Sequence, residues 1–160
     1  MTAPSPAPKN LKHDESADGR MHRIGGDIGR VLVAGEETNG EFAVIEALAD
    51  PGSGPPLHVH HREDEHFYVV EGQAKFVAGG KTILASAGDY VVGPRGVAHT
   101  FRNTGATPLR MIIITRPAGF EKFFAAASDA LHAAGGFDPA VLTRVAAEYG
   151  IEILGPPLTE

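Results

Sequence analysis

The chain has 160 residues, 42% of them hydrophobic and 21% charged, with a net charge of −6 and no cysteine. That length suits one domain with a real core; the missing cysteines exclude a disulfide framework and thiolate metal ligands, and scattered Lys and Arg without a basic stripe exclude a nucleic-acid partner. Apolar runs such as Met111 to Ile114 are strand-sized and far short of a membrane helix, so the chain reads as soluble with no membrane partner.

The opening segment, residues 1–20, is rich in Pro, Ser, Asp and Lys and lacks the apolar stretch of a secretory signal. It is expected to be a flexible arm, with the cytoplasm as default location. Between Gly29 and Thr115, short β-branched and apolar runs divided by Gly and Pro give the pattern of a many-stranded antiparallel sheet or barrel. The candidate strands are Arg30–Ala34, Glu41–Ala49, Leu57–His60, Glu65–Glu71, Ala74–Ala78, Lys81–Ala85, Tyr90–Val92, Val97–Arg102 and Leu109–Arg116, with glycine-bearing turns at Thr38–Glu41, Ala78–Lys81 and Ser86–Asp89. After Pro117 the period becomes helical. Phe120, Phe123, Phe124, Ala127 and Leu131 fall on one stripe, which predicts a helix laying its aromatic face on the barrel's outer surface as core packing rather than as a cofactor contact. Asp138 is a natural N-cap with Pro139 at the first helical position, Leu142, Val145, Ala146 and Tyr149 form a second buried face, and Gly150 ends it. Residues 150–160 read as a short extended tail. The domain reading is therefore an arm at 1–20, a β-barrel domain at 21–117 and a helical extension packed on the barrel at 118–160.

The stretch Gly52–Gly72, GSGPPLHVHHREDEHFYVVEG, places four histidines where a hairpin is expected. Side chains two apart on a strand share a face, so His58 and His60 make a chelating pair while Val59 looks away. If Glu65 shares that inner face, a carboxylate joins two imidazoles among apolar neighbours, and burying all three without a cation is costly. In the second segment, Gly88–Asn103, Val97, His99 and Phe101 alternate with Ala98 and Thr100, so His99 can supply a third imidazole from a distant strand. His58, His60, Glu65 and His99 are thus candidates for an N₃O site holding one divalent ion, with positions left for water or substrate if the ion is octahedral. His61 and His66 adjoin proposed ligands and should face the other way. Glu63 and Asp64 read as solvated loop charges, with Asp64 the rival to Glu65 should a bulge shift the register. His13, His22 and His132 have no constellation, and Arg95 is expected at a surface corner. Phe42, Val44, Phe67, Phe76, Phe101 and Ile112 are candidates to line a cavity, but parity alone does not say which face of each strand is inside. No Ser-His-Asp pattern, P-loop or dinucleotide fingerprint is visible.

At these positions the sequence resembles the cupin superfamily. One motif runs through Gly52, His58, His60, Glu65 and Gly72, a second through Gly88, Pro94, Gly96, His99 and Asn103, and every defining position is filled. The fifteen residues from Gln73 to Ala87 are similar to the short spacing of small bacterial cupins, and the C-terminal RPAGFEKFF and EYGIEILGPP look like the tail of quercetin-dioxygenase-like members. The resemblance implies an all-β fold, a double-stranded β-helix or jelly-roll barrel with two C-terminal α-helices, and a metal held by His58, His60, Glu65 and His99. Three His and one Glu suit Fe, Mn, Ni or Co better than Zn, which can bind but which four tetrahedral protein ligands would leave closed. The resemblance further implies that Glu65 doubles as the catalytic proton acceptor, that Asn103 steadies a turn, and that the protein is a homodimer acting on a small molecule. The expected activity is a dioxygenase for an enol, phenol or flavonol-like substrate. The alternatives are a metal-dependent isomerase or lyase and a non-catalytic binding cupin.

Overall fold

The computed structural model describes residues 8–10 and 19–160, so most of the expected arm, and His13 with it, lies outside the described residues. Strands β1 (Met21–Ile24), β2 (Asp27–Val33), β3 (Ala43–Ala49), β10 (Leu109–Arg116), β5 (Asp64–Glu71) and β8 (Tyr90–Gly93) form one antiparallel sheet in that spatial order. A second sheet has the order β11 (Ile151–Pro157), β4 (Pro56–His60), β9 (His99–Asn103), β6 (Gln73–Ala78) and β7 (Lys81–Ser86). The fold is the expected one, two antiparallel sheets followed by helices α1 (Glu121–Ala133) and α2 (Pro139–Glu148).

Where strand ends differ from expectation, local hydrogen bonds account for it. Expected from Glu41, β3 begins at Ala43 because the Glu41 amide bonds Thr38 O at 3.1 Å and the Phe42 amide bonds Thr38 Oγ1 at 3.2 Å. Expected from Val97, β9 begins at His99 because the Val97 amide closes a turn onto Pro94 O at 3.1 Å. The tail is extended, as expected, and is in addition a paired strand. Residues Ile151–Pro157 pair with β4, with Ile151 opposite His60 and Ile153 opposite His58. An edge strand tolerates Pro156 and Pro157.

Face assignment is the next correction. On β3 and β10 the alternating buried row is Ala43, Ile45, Ala47 and Ala49 with Leu109, Met111, Ile113 and Thr115, so Val44 and Ile112, with the buried Glu46, belong to the opposite face and Phe42 is exposed. Phe67 and Phe101 do line the cavity, whereas Phe76 packs behind both at ring-centroid distances of 5.1 and 5.6 Å. The helices follow the expected periodicity, and the Asp138 carboxylate accepts hydrogen bonds from the amides of Ala140 (2.8 Å) and Val141 (3.3 Å). Their aromatic stripe, however, does not lie on the outside of the barrel. Phe120, Phe123 and Phe124 line the interior cavity, with Phe120 at the N-cap of α1 edge-on to the His60 ring at 4.6 Å. A barrel with an apolar inner face must be closed off from water, and the stripe buries itself by closing it.

Candidate metal centre

The β4 pairing of His58 opposite His99 on β9 brings two of the imidazoles together across adjacent strands. His60 sits two residues along β4, and Glu65 enters from β5 of the other sheet. All four side chains are buried, His60 completely, and one ligand atom from each lies within 4.8 Å of the others. Opposite Glu65 on β8 stands Gly93, where a Cβ would come within 3.1 Å of the His99 ring. Any larger residue there would displace that imidazole.

Main-chain carbonyls fix the tautomers. His58 Nδ1 is 2.7 Å from Pro56 O and His99 Nδ1 is 3.0 Å from Val97 O; a carbonyl only accepts, so both Nδ1 atoms carry a proton and donate it, leaving Nε2 as the ligand nitrogen. Glu65 Oε2 then lies 2.8 Å from His99 Nε2 and 3.2 Å from His60 Nε2, and His60 Nε2 is buried without a hydrogen-bond partner. A carboxylate this close to an imidazole lone pair requires a cation or proton between them. Three neutral imidazoles and one carboxylate therefore fit a divalent ion, and the cluster could hold one.

The electrostatics of the metal-free site agree. Burial, then the nearby His99 and His60 charges, lower His58 to about 4. Burial also works against the charged form of His60, but the Glu65 charge and the Glu63 and Glu65 carboxylates beside its ring outweigh it and raise the group to about 9. For Glu65, burial pushes upward, yet the His60 charge and the approach of both imidazoles hold the carboxyl well below its usual range. Without metal, the two carboxylates beside His60 favour a proton on its ring.

Around the cluster, the sequence reading holds for some residues and fails for others. His61 is exposed and bonds Glu152 at 2.8 Å, and His66 meets the Tyr90 hydroxyl at 3.0 Å; both face away from the cluster. Asp64 also faces outward, gripped by Arg95 through its backbone amide (2.9 Å), Nε (3.2 Å) and Nη2 (3.0 Å), which holds its pKa at about 2. No bulge intervenes, so Glu65 and not Asp64 points inward. Asn103 Nδ2 donates to Ala49 O (3.0 Å) and Thr107 O (2.8 Å) while Oδ1 accepts from the Gly105 amide (2.9 Å), a turn-holding arrangement.

Glu63 is the main correction. It is only 2% exposed, with Oε2 3.4 Å from His60 Nδ1, rather than a solvated loop charge. Glu63 precedes β5 in the loop after His60, so strand parity gave no signal for it; its burial comes from the packing around the His60 ring. Thr115, the β10 partner of Glu65, is fully buried with a hydroxyl that lacks a hydrogen-bond partner. The cluster opens on a cavity of about 400 Å³, where His58 and Glu65 meet Phe67, Phe101, Ile113 and Phe120.

With fold and cluster described, the comparisons converge. Residues 46–115 match the family model for the cupin domain. The chain is 29% identical over 115 residues to quercetin 2,3-dioxygenase of Bacillus subtilis, covering 72% of this chain and 34% of that protein. It is 36% identical over 64 residues to an oxalate-binding protein of Thermotoga maritima, covering 40% and 53%. A solved structure of an RmlC-like cupin from Shewanella frigidimarina superposes with a TM-score of 0.57 at 25% identity, over 69% of this chain and 93% of that one. The chain spans about a third and about half of those two sequence relatives. Two antiparallel sheets enclosing a histidine–carboxylate cluster define a cupin. The protein belongs to that superfamily, as one of its small members. Among the described residues no helix is long and apolar enough to cross a membrane.

Proposed function

We propose that the protein is a metal-dependent dioxygenase acting on an enol, phenol or flavonol-like molecule, working in the cytoplasm as the homodimer that the family resemblance implies. The observation that carries this reading is the opening of the three-imidazole, one-carboxylate cluster directly onto an apolar, aromatic-lined cavity. A divalent ion of the Fe, Mn, Ni or Co kind would supply a Lewis-acidic centre at which an enolate or phenolate oxygen and O₂ can meet. The chain's own contribution is positioning and proton handling. Pro56 O and Val97 O orient His58 and His99, and the Phe67, Phe101 and Phe120 rings offer flat apolar surfaces and exclude water. Glu65, whose Oε2 stands within reach of His60 Nε2 and His99 Nε2 at the cavity wall, is the group placed to take a proton from an entering hydroxyl. The likeness to quercetin 2,3-dioxygenase supports the substrate class.

The test is O₂ uptake by protein reconstituted separately with each of the four metals and offered flavonols, catechols and β-diketones. At least one pairing should consume O₂, and Glu65→Gln should lower turnover more than it weakens substrate binding. If no pairing consumes O₂ while a redox-silent metal supports isomerisation or lyase chemistry, the Lewis-acid alternative replaces the dioxygenase. A second reading, a non-catalytic binding cupin, is supported by the 36% identity to the oxalate-binding protein; a tightly bound ligand recovered unchanged under every condition would establish it instead.

A further inference from the structure

The cavity has a second polar pole far from the histidines. Glu65 is in register with Thr115 and, through it, with Ala43 at the start of β3, whereas Asp27 pairs with Ala49 at the end of β3. Six residues at a rise of about 3.3 Å place those two rows roughly 20 Å apart along the strands. Both Glu65 and Asp27 line the same cavity, and Phe67, Ile113 and Ala47 line it from the rows between them. The cavity therefore runs along the barrel, apolar through its middle and carrying a carboxyl group at each end.

The distal carboxyl is held in a built setting. Ser53 Oγ donates to Asp27 Oδ1 at 2.7 Å, the only hydrogen bond to the Asp27 side chain among the described residues. Gly26 makes that approach possible, since a Cβ there would stand 2.7 Å from Ser53 Oγ. Among the described residues no ion pair to Asp27 is seen: Arg23, whose charge acts on it, reaches Asp50 at 3.9 Å. Asp27 is partly buried at the cavity wall, and a carboxylate can accept several hydrogen bonds, so it can take a further donor from a ligand. Burial raises its pKa to about 6, opposed by the Ser53 bond and assisted by the nearby Asp50 charge.

We propose that Asp27, held by Ser53, is the specificity-determining pole of the cavity, accepting a hydrogen bond from a hydroxyl at the metal-distal end of an elongated, otherwise apolar aromatic ligand. This rests on the reading of the cavity as the substrate site and narrows it: the ligand has more than one ring and a donor at the end opposite the histidines. A ligand lacking that donor leaves Asp27 desolvated and unpaired, which is the origin of discrimination.

The test uses two probes without a chelating group, para-hydroxybiphenyl and its methyl ether, titrated calorimetrically into the metal-loaded protein. The phenol should bind at least tenfold more tightly than the ether, the scale of a hydrogen bond to a charged group. Asp27→Ala should shrink that preference below threefold while leaving metal content and ether affinity unchanged. Asp27→Asn, which keeps the volume, should give an intermediate preference and guards against a misfolded Ala variant. Absence of a preference in the unaltered protein, or its survival in both Asp27 variants, overturns the proposal. A preference lost in Glu65→Gln but kept in Asp27→Ala would also overturn it, by placing the hydroxyl at the histidine end. An Asp27-dependent preference with no O₂ uptake in the activity panel would sink the dioxygenase alone; O₂ uptake without the preference would sink the distal pole alone.

Discussion

Removing the Glu63 charge should weaken metal binding even though Glu63 is not among the candidate ligands. Its Oε2 lies 3.4 Å from His60 Nδ1, and both side chains are shut off from water. Taking the far side of the imidazole as about 5.5 Å from that carboxylate, Coulomb's law at an effective permittivity of about 20 gives roughly 3 kcal/mol per unit of positive charge at His60 Nε2. Rehydration of the altered site reduces this, and outer partners of ligating histidines are typically worth about 10- to 100-fold in metal affinity. Glu63→Gln can still accept a hydrogen bond and loses only the charge, so about tenfold weaker binding is expected. Glu63→Ala loses charge and acceptor together, so the loss should approach about 100-fold. The assay is competition for Co(II) or Ni(II) against a chromophoric chelator, with circular dichroism to verify the fold and His61→Ala as the control that should change nothing. Affinities within twofold of the parent for both Glu63 variants, in folded protein, would refute the argument and leave Glu63 as a buried structural group.

In the metal-free protein, His58 and His60 should give stability opposite pH dependences. His58 titrates near 4 when folded and about 6.5 when unfolded, so its contribution is present above 6.5 and is lost as pH falls towards 4. His60 titrates near 9 when folded, so its contribution is full below about 6.5 and is lost as pH rises through 9. Melting temperature after chelation should thus decline on both sides of about pH 6.5, and a flat profile from pH 5 to 9 would contradict the assignment. Truncation after Pro117 should abolish cooperative unfolding and metal binding together, because it removes β11 from the edge of β4, which carries His58 and His60. A truncated chain that melts and binds metal like the parent would show residues 118–160 to be an appendage.

The sequence by itself determined the class of fold and the cluster. Alternation at period two put His58 with His60 and His99 with Val97 and Phe101, local regularities that any strand obeys, while the choice of Glu65 over Asp64 as the acidic partner came from the resemblance to the cupin motif. The helices were legible for the same reason, at a period of 3.6. What tertiary structure decided was where each face looks. Parity gives two faces but not which one is interior, so Ile113 rather than Ile112 reaches the cavity, and the Phe120–Phe124 stripe lies against it instead of outside the barrel. Glu63 looked solvated because loop charges generally are, and its burial depends on the closing of the barrel around His60. The strand at Ile151–Pro157 and the distal Asp27–Ser53 pole likewise join residues far apart in the chain. Such pairings are set by the register between strands, which depends on global packing and not on the local run of residues.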